Sequence, residues 1–224
     1  MERDARIDPA LIKAYFDMGL MGIQMPERHG GAGGSVMMVT LAVEEISKVD
    51  AAAAIMVDVQ NTLVNNVFAM YASPSIQDYV FPALATDAVG SFCLSEAGSG
   101  SDAFALRTRA DKKGGDYVIN GTKMWITNAA EARFFLVMAN VDLSKGYKGI
   151  TCFLVERDAP GLSIGKKEDK MGIRASSTAP CPPASCQPPL PASETDFAPS
   201  SKQPAGARLM LITSSMFRLS WPRR

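Results

Sequence analysis

The sequence predicts an α+β fold: a helical amino-terminal domain over 1–86, an antiparallel β-domain over 87–178, and a Pro-rich, disordered tail over 179–224. Three observations carry this. Before residue 86, apolar residues recur at spacings of three and four, the period of a helix with one buried face. From Val89 the apolar runs shorten and fill with aromatic and β-branched residues, as strands do. After Thr178 proline takes over, and neither period survives. Helices followed by strands, with no βαβ alternation, argue for separate units.

In order along the chain, Asp8-Pro9 supplies a cap and a first-turn residue for a helix over PALIKAYFDMGL, residues 9–20. Pro26 and the glycines of 21–34 interrupt the pattern. Ser35 opens a second helix, in which Val39, Ala42, Val43, Ile46 and Val49 share a face opposite Glu44, Glu45 and Lys48. The next segment, 51–72, is apolar on most sides and is expected to lie between other helices. Ser73-Pro74 caps a further helix to about Ala85. Strands are expected over 89–95, 104–111, 116–120, 134–141 and 149–157, with Asn120-Gly121 as a hairpin turn.

The chain has 224 residues, 47% hydrophobic and 21% charged, enough to bury a substantial core. Lys+Arg and Asp+Glu both number 23, so the basic footprint of a nucleic-acid binder is missing. No apolar run is long enough to span a membrane, and MERDARIDPA is not a secretory signal. Cys93, Cys152, Cys181 and Cys186 make no disulfide framework and are read as reduced thiols. Only Cys181 and Cys186 are spaced as metal ligands; no second pair or suitably placed histidine joins them, so no metal site is expected. His29 reads as a surface-loop residue, and the methionines of the helices as core.

The chemistry-bearing stretch is FCLSEAGSGSD, residues 92–102. It lacks the Lys-Ser/Thr of a phosphate-binding P-loop, and strands, not a helix, follow it, unlike a dinucleotide fingerprint. Its small residues read either as a linker or as a loop that a ligand approaches closely. The second stretch is GTKMWITNA, residues 121–129. On a strand, Trp125 and Thr127 share one face, a flat ring beside a hydroxyl. A lone tryptophan is otherwise commonly a core residue, and Ser101-Asp102 can simply cap a turn.

CLSEAGSGSDAFA (93–105) and KMWITNA (123–129) resemble two signature segments of the acyl-CoA dehydrogenases, in that family's order and spacing. The resemblance continues through GLMGIQMPERHGGAGG (19–34) and the stretch from Gly146 to Thr178, and covers about residues 8–178. LVMANVD (136–142), GYKG (146–149) and RASST (174–178) look most like the short/branched-chain branch.

The resemblance implies FAD as cofactor. It assigns contacts with it to Phe92, Cys93, Leu94, Ser95, Glu96, Ala97, Gly98, Ser99, Gly100 and Ser101, and to Trp125, Ile126 and Thr127. Ser95 would bond the polar edge of the flavin, Trp125 would pack on its ring, and Thr127 would lie near its reactive nitrogen. Ser101 and Tyr147 would also meet the acyl-CoA substrate. An electron-transfer flavoprotein as acceptor, a homotetramer and a mitochondrial-matrix location follow from the same likeness.

The family's catalytic base is a glutamate of a carboxy-terminal helical domain, in a Tyr-Glu-Gly type of segment. Residues 179–224 hold no such segment. The expectation is therefore a chain without the catalytic residue, inactive alone, with the tetramer also in question because those helices help build it. Two alternatives stand beside this reading. One is a non-catalytic truncated isoform that binds full-length subunits or is degraded; the other is an acyl-CoA oxidase-like flavoprotein, against which SEAGSGSD and RASST argue.

Overall fold

Helix starts follow local capping chemistry in the computed structural model, which describes residues 4–114, 116–182 and 209–213. Helix α1 (Pro9–Asp17) begins where the Asp8 carboxylate accepts the Ala10 N–H at 2.9 Å. Ser35 caps α2 (Val36–Ser47), Asp50 caps α3 (Ala51–Asp58) by accepting from Ala52 and Ala53, and Ser73 caps α5 (Pro74–Thr86). These side chains satisfy N–H groups that no helical carbonyl can reach.

The long apolar segment is not one uniform helix. Helix α3 widens into a π-helical stretch, Val59–Asn65, before α4 (Asn66–Tyr71). The stretch carries three fully buried amides, Gln60, Asn61 and Asn65. Asn61 donates to the Leu20 and Val57 carbonyls and accepts from the Gln24 N–H; Asn65 donates to the Met21 carbonyl. Gln60 donates to the Ala88 carbonyl and accepts the Gly90 N–H at 2.8 Å. Buried amides thus satisfy backbone groups of neighbours that lack regular partners.

Among the described residues eight strands follow: β1 (Val89–Cys93), β2 (Arg109–Lys113), β3 (Asp116–Asn120), β4 (Lys123–Ile126), β5 (Ala132–Asn140), β6 (Ile150–Glu156), β7 (Ala179–Cys181) and β8 (Leu209–Thr213). The main sheet runs β3-β2-β5-β6-β8, with β1 also on β5, and β4 pairs β7 in a separate ribbon. The expectation of an antiparallel β-domain is corrected: β1 and β2 run parallel to β5, so the sheet is mixed. Parallel pairing needs a long crossover, and the 38 residues from 94 to 131 supply it.

Strand β5 is buried on both faces, which explains its unbroken apolar run. Phe134, Leu136 and Met138 pack with Phe81 and Leu84 of the helices; Phe135, Val137 and Ala139 pack with Ile119, Ile126 and Cys181. The helices and the sheet therefore share the core on one face of β5. Tyr79 of α5 adds a hydrogen bond to Glu156 of β6 at 2.6 Å.

Three further expectations change. The β2–β3 hairpin turns just after Lys113, where Gly114 has φ +65°, whereas Asn120-Gly121 carries the chain from the main sheet to the ribbon. His29 is not a solvated loop residue: its side chain is 9% exposed, stacks 4.8 Å from the Phe81 ring and accepts from Arg28. The tail, expected to be without regular structure from residue 179, contributes β7, whose Pro180 carbonyl accepts from the Gly165 N–H, and β8, antiparallel to β6. Residues 183–208 and 214–224, including Cys186, lie outside the described residues.

Candidate functional site

The two chemistry-bearing stretches, some thirty residues apart in sequence, are laced side by side. The Ser91 hydroxyl donates to the Thr127 carbonyl at 2.9 Å, and the Met124 N–H donates to the Ser95 carbonyl at 2.8 Å. Asn128, at φ +62°, donates its side-chain amide to the Gly90 carbonyl at 3.4 Å. Lys123 Nζ donates to the Leu94 carbonyl at 3.0 Å and to Glu96 Oε1 at 2.7 Å.

Beneath this lacing lies a buried ion pair. The Lys123 side chain is 0% exposed, and Glu96 is nearly as deep. Glu96 also accepts the backbone N–H groups of Arg107, at 2.6 Å, and Thr108, at 3.0 Å. Burial favours the neutral acid, but the bonds from Lys123, Thr108 and Arg107 outweigh it and hold Glu96 below the ordinary carboxylate range. Burial pulls the Lys123 ammonium below the usual lysine value, against the opposing pull of Glu96. The Cys93 thiol next to them is driven well upward, first by burial and then by Cys181.

The assigned residues divide by direction. Cys93, Glu96, Ser99 and Ile126 are buried, so a ligand on this face could reach them only through their backbone. Ser99 closes a local turn by donating to the Asp102 carbonyl at 2.8 Å. Phe92, Leu94, Ser95 and Thr127 are half-buried; Ala97, Gly98, Gly100, Ser101 and Trp125 are exposed. Trp125 is 52% exposed and not a core tryptophan. Its φ of +57° is a strained value for a bulky residue and falls where the β4–β7 register slips. That break removes the strict alternation on which a shared face for Trp125 and Thr127 rests.

The turn after Thr127 is held from behind. Arg157 donates to the carbonyls of Ala129, Ala130 and Ala132, and Ser177 donates to Glu131 and accepts from the Ala130 N–H. Elsewhere, Tyr147 meets the ring of Phe104 at 5.2 Å between centroids, and both are about half exposed. Phe104 and Lys123 are the residues sequence reasoning missed. Phe104 sits three residues after Ser101 in the same small-residue stretch, while only the lone cation in the apolar run KMWI hinted at Lys123.

Gly98 and Gly100 bear on whether a cofactor fits. A Cβ added to either meets no atom within 4 Å, and neither has a positive φ. Nothing inside the described chain requires glycine there, so the face is open to a planar group lying on the backbone. Two hydroxyls, an exposed indole and a loop of exposed small residues suit a flavin.

Residues 1–88 match the family model for the acyl-CoA dehydrogenase N-terminal domain, and residues 91–181 the model for the acyl-CoA dehydrogenase middle domain. A probable short/branched chain specific acyl-CoA dehydrogenase of Dictyostelium discoideum is 58% identical over 179 residues, 80% of this chain and 43% of that protein. The mitochondrial short/branched chain specific acyl-CoA dehydrogenase of Rattus norvegicus is 51% identical over 178 residues, 80% of this chain and 41% of that protein. The chain thus spans less than half the length of these relatives. A glutaryl-CoA dehydrogenase from Mycobacterium smegmatis, solved in complex with FADH2, superposes with a TM-score of 0.77 at 34% identity, covering 85% of this chain and 47% of its own. Two consecutive domain matches and a helical-then-sheet architecture shared with solved relatives lead to one conclusion: this chain belongs to the acyl-CoA dehydrogenase family.

Proposed function

We propose that the chain carries the flavin- and thioester-contacting part of an FAD-dependent dehydrogenase that introduces an α,β double bond into short or 2-methyl-branched acyl-CoA thioesters. The observation that carries this is the joined face: residues 94–101 and 124–127 are bonded into one unit whose outer side is small, polar and open. Ser95 and Thr127 would bond the polar edge of the flavin, Trp125 would cover its ring, and Ser101 with Tyr147 would meet the thioester. FAD, when bound, would accept the hydride leaving the β carbon.

The α proton needs a carboxylate base within reach. Glu96, the buried carboxylate of the site, is engaged by Lys123 and two backbone N–H groups and is not available. We therefore expect the 224-residue chain to bind the thioester against the flavin without turning it over. The division into 1–86, 87–178 and 179–224, an electron-transfer flavoprotein as acceptor and a mitochondrial-matrix setting belong to the same proposal. The relatives named mitochondrial and the short/branched-chain likeness support it.

Titration of the purified chain with FAD, followed by anaerobic addition of 2-methylbutanoyl-CoA, tests the reading. Saturable, stoichiometric FAD binding is expected, with a visible spectrum that the thioester perturbs but does not bleach. A chain that binds no FAD would overturn the flavin assignment. Bleaching would overturn the expectation of inactivity.

A further inference from the structure

The Glu96–Lys123 pair is more than the fold requires. Burying two charges costs several kcal/mol of desolvation, and well-packed apolar residues serve stability as well or better. Its value lies in where its bonds go. Lys123 reaches the Leu94 carbonyl and Glu96; Glu96 reaches the N–H groups of Arg107 and Thr108. Three chain segments are thereby pinned at one point, on the inner side of the open loop. Two residues beyond Lys123, Trp125 holds its strained φ of +57° with half its surface in solvent. Such strain persists only where flanking bonds over-determine it. The Lys123 and Met124 bonds fix one flank, and the Ser91 and Asn128 bonds fix the other.

We infer that the Glu96–Lys123 pair is the positioning device of the flavin face, setting the 94–101 loop at a fixed distance from the strained Trp125. The inference rests on the flavin reading above. It predicts that disturbing the pair lowers FAD affinity out of proportion to any loss of stability. Both residues act through others; neither side chain reaches the ligand.

Two variants of the full chain test it, in a Trp221→Phe background that leaves Trp125 as the single indole reporter. Lys123→Met removes the cation. Glu96→Asp keeps the charge and shortens the arm by one methylene, and decides the matter should Lys123→Met fail to fold. Met56→Ala, which opens a cavity in the core cluster that holds none of the assigned site residues, serves as a control for lost stability.

FAD affinity is expected to fall about ten-fold or more in the pair variants, against less than about three-fold in Met56→Ala at equal loss of Tm. The Trp125 emission should shift in the pair variants alone. Affinity and emission that merely track Tm in all three would reduce the pair to a structural ion pair, with the flavin reading intact. A parent chain that binds no FAD would remove both.

Discussion

Two pairs of glycines in this chain stand in opposite surroundings. At Gly90 and Gly121 there is no room for a side chain. A Cβ on Gly121 would lie well inside van der Waals contact of Thr108 Oγ1 and 2.8 Å from the Thr108 Cα, and one on Gly90 would collide with both methyls of Val64. At Gly98 and Gly100 a Cβ would meet nothing within 4 Å among the described residues. The first pair is explained from inside: β1 lies against the π-helical stretch, and the chain crosses from β3 to β4 over Thr108. The second pair meets no such neighbour among the described residues, and it is the proposed flavin that would constrain it from outside. Packing glycines and ligand glycines look alike in a sequence, and only their neighbours tell them apart.

The contrast can be broken most directly at Gly121. Gly121→Ala should cost about 3 kcal/mol in a urea unfolding series, because the obstructing atoms include backbone that cannot rotate away. Gly90→Ala should cost less, about 2 kcal/mol, since Val64 can yield slightly. Ser91→Ala, which removes the bond to the Thr127 carbonyl, should cost about 1 kcal/mol in the same assay.

Acid titration probes the clasp behind the open pair. Glu96 is held below its ordinary value of 4.5. Its contribution to stability is therefore complete above that pH and is lost as pH falls through the lower folded value. Tm should fall as pH drops below 4.5, and Lys123→Met should move the loss to higher pH. Smallest of all, Gly98→Ala and Gly100→Ala should change stability by less than about 0.5 kcal/mol. Both should weaken FAD or thioester binding measurably. Unchanged binding would return the open pair to the status of an ordinary flexible loop.

The sequence disclosed what depends on near neighbours. Asp8, Ser35 and Ser73 each mark a helix start because capping is settled within three residues. The open loop and the strand bearing Trp125 were also legible, as two stretches with unusual composition. Long-range pairing was not. Nothing in VGSFC tells that β1 runs parallel to β5, or that Ser91 reaches Thr127. Asn120-Gly121 carried a sound local turn signal, yet the hairpin forms one strand earlier because β4 finds its partner in β7. Lys123 was invisible as a buried residue because a lone lysine reads as solvent-facing until its partner, 27 positions away, is in place. The Pro-rich composition after Thr178 likewise hid β7, whose Pro180 is tolerated because its ribbon pairs only at Lys123 and Ile126.

Residues 94–101 and 124–127 are proposed to form a single flavin face. Amide hydrogen exchange of the chain with and without FAD tests it most directly. Slowed exchange is expected at 97–101 and at 125–127 together, with the β2–β3 hairpin and α2 unchanged. Slowing at one stretch without the other, or an even slowing across the helices, would contradict it.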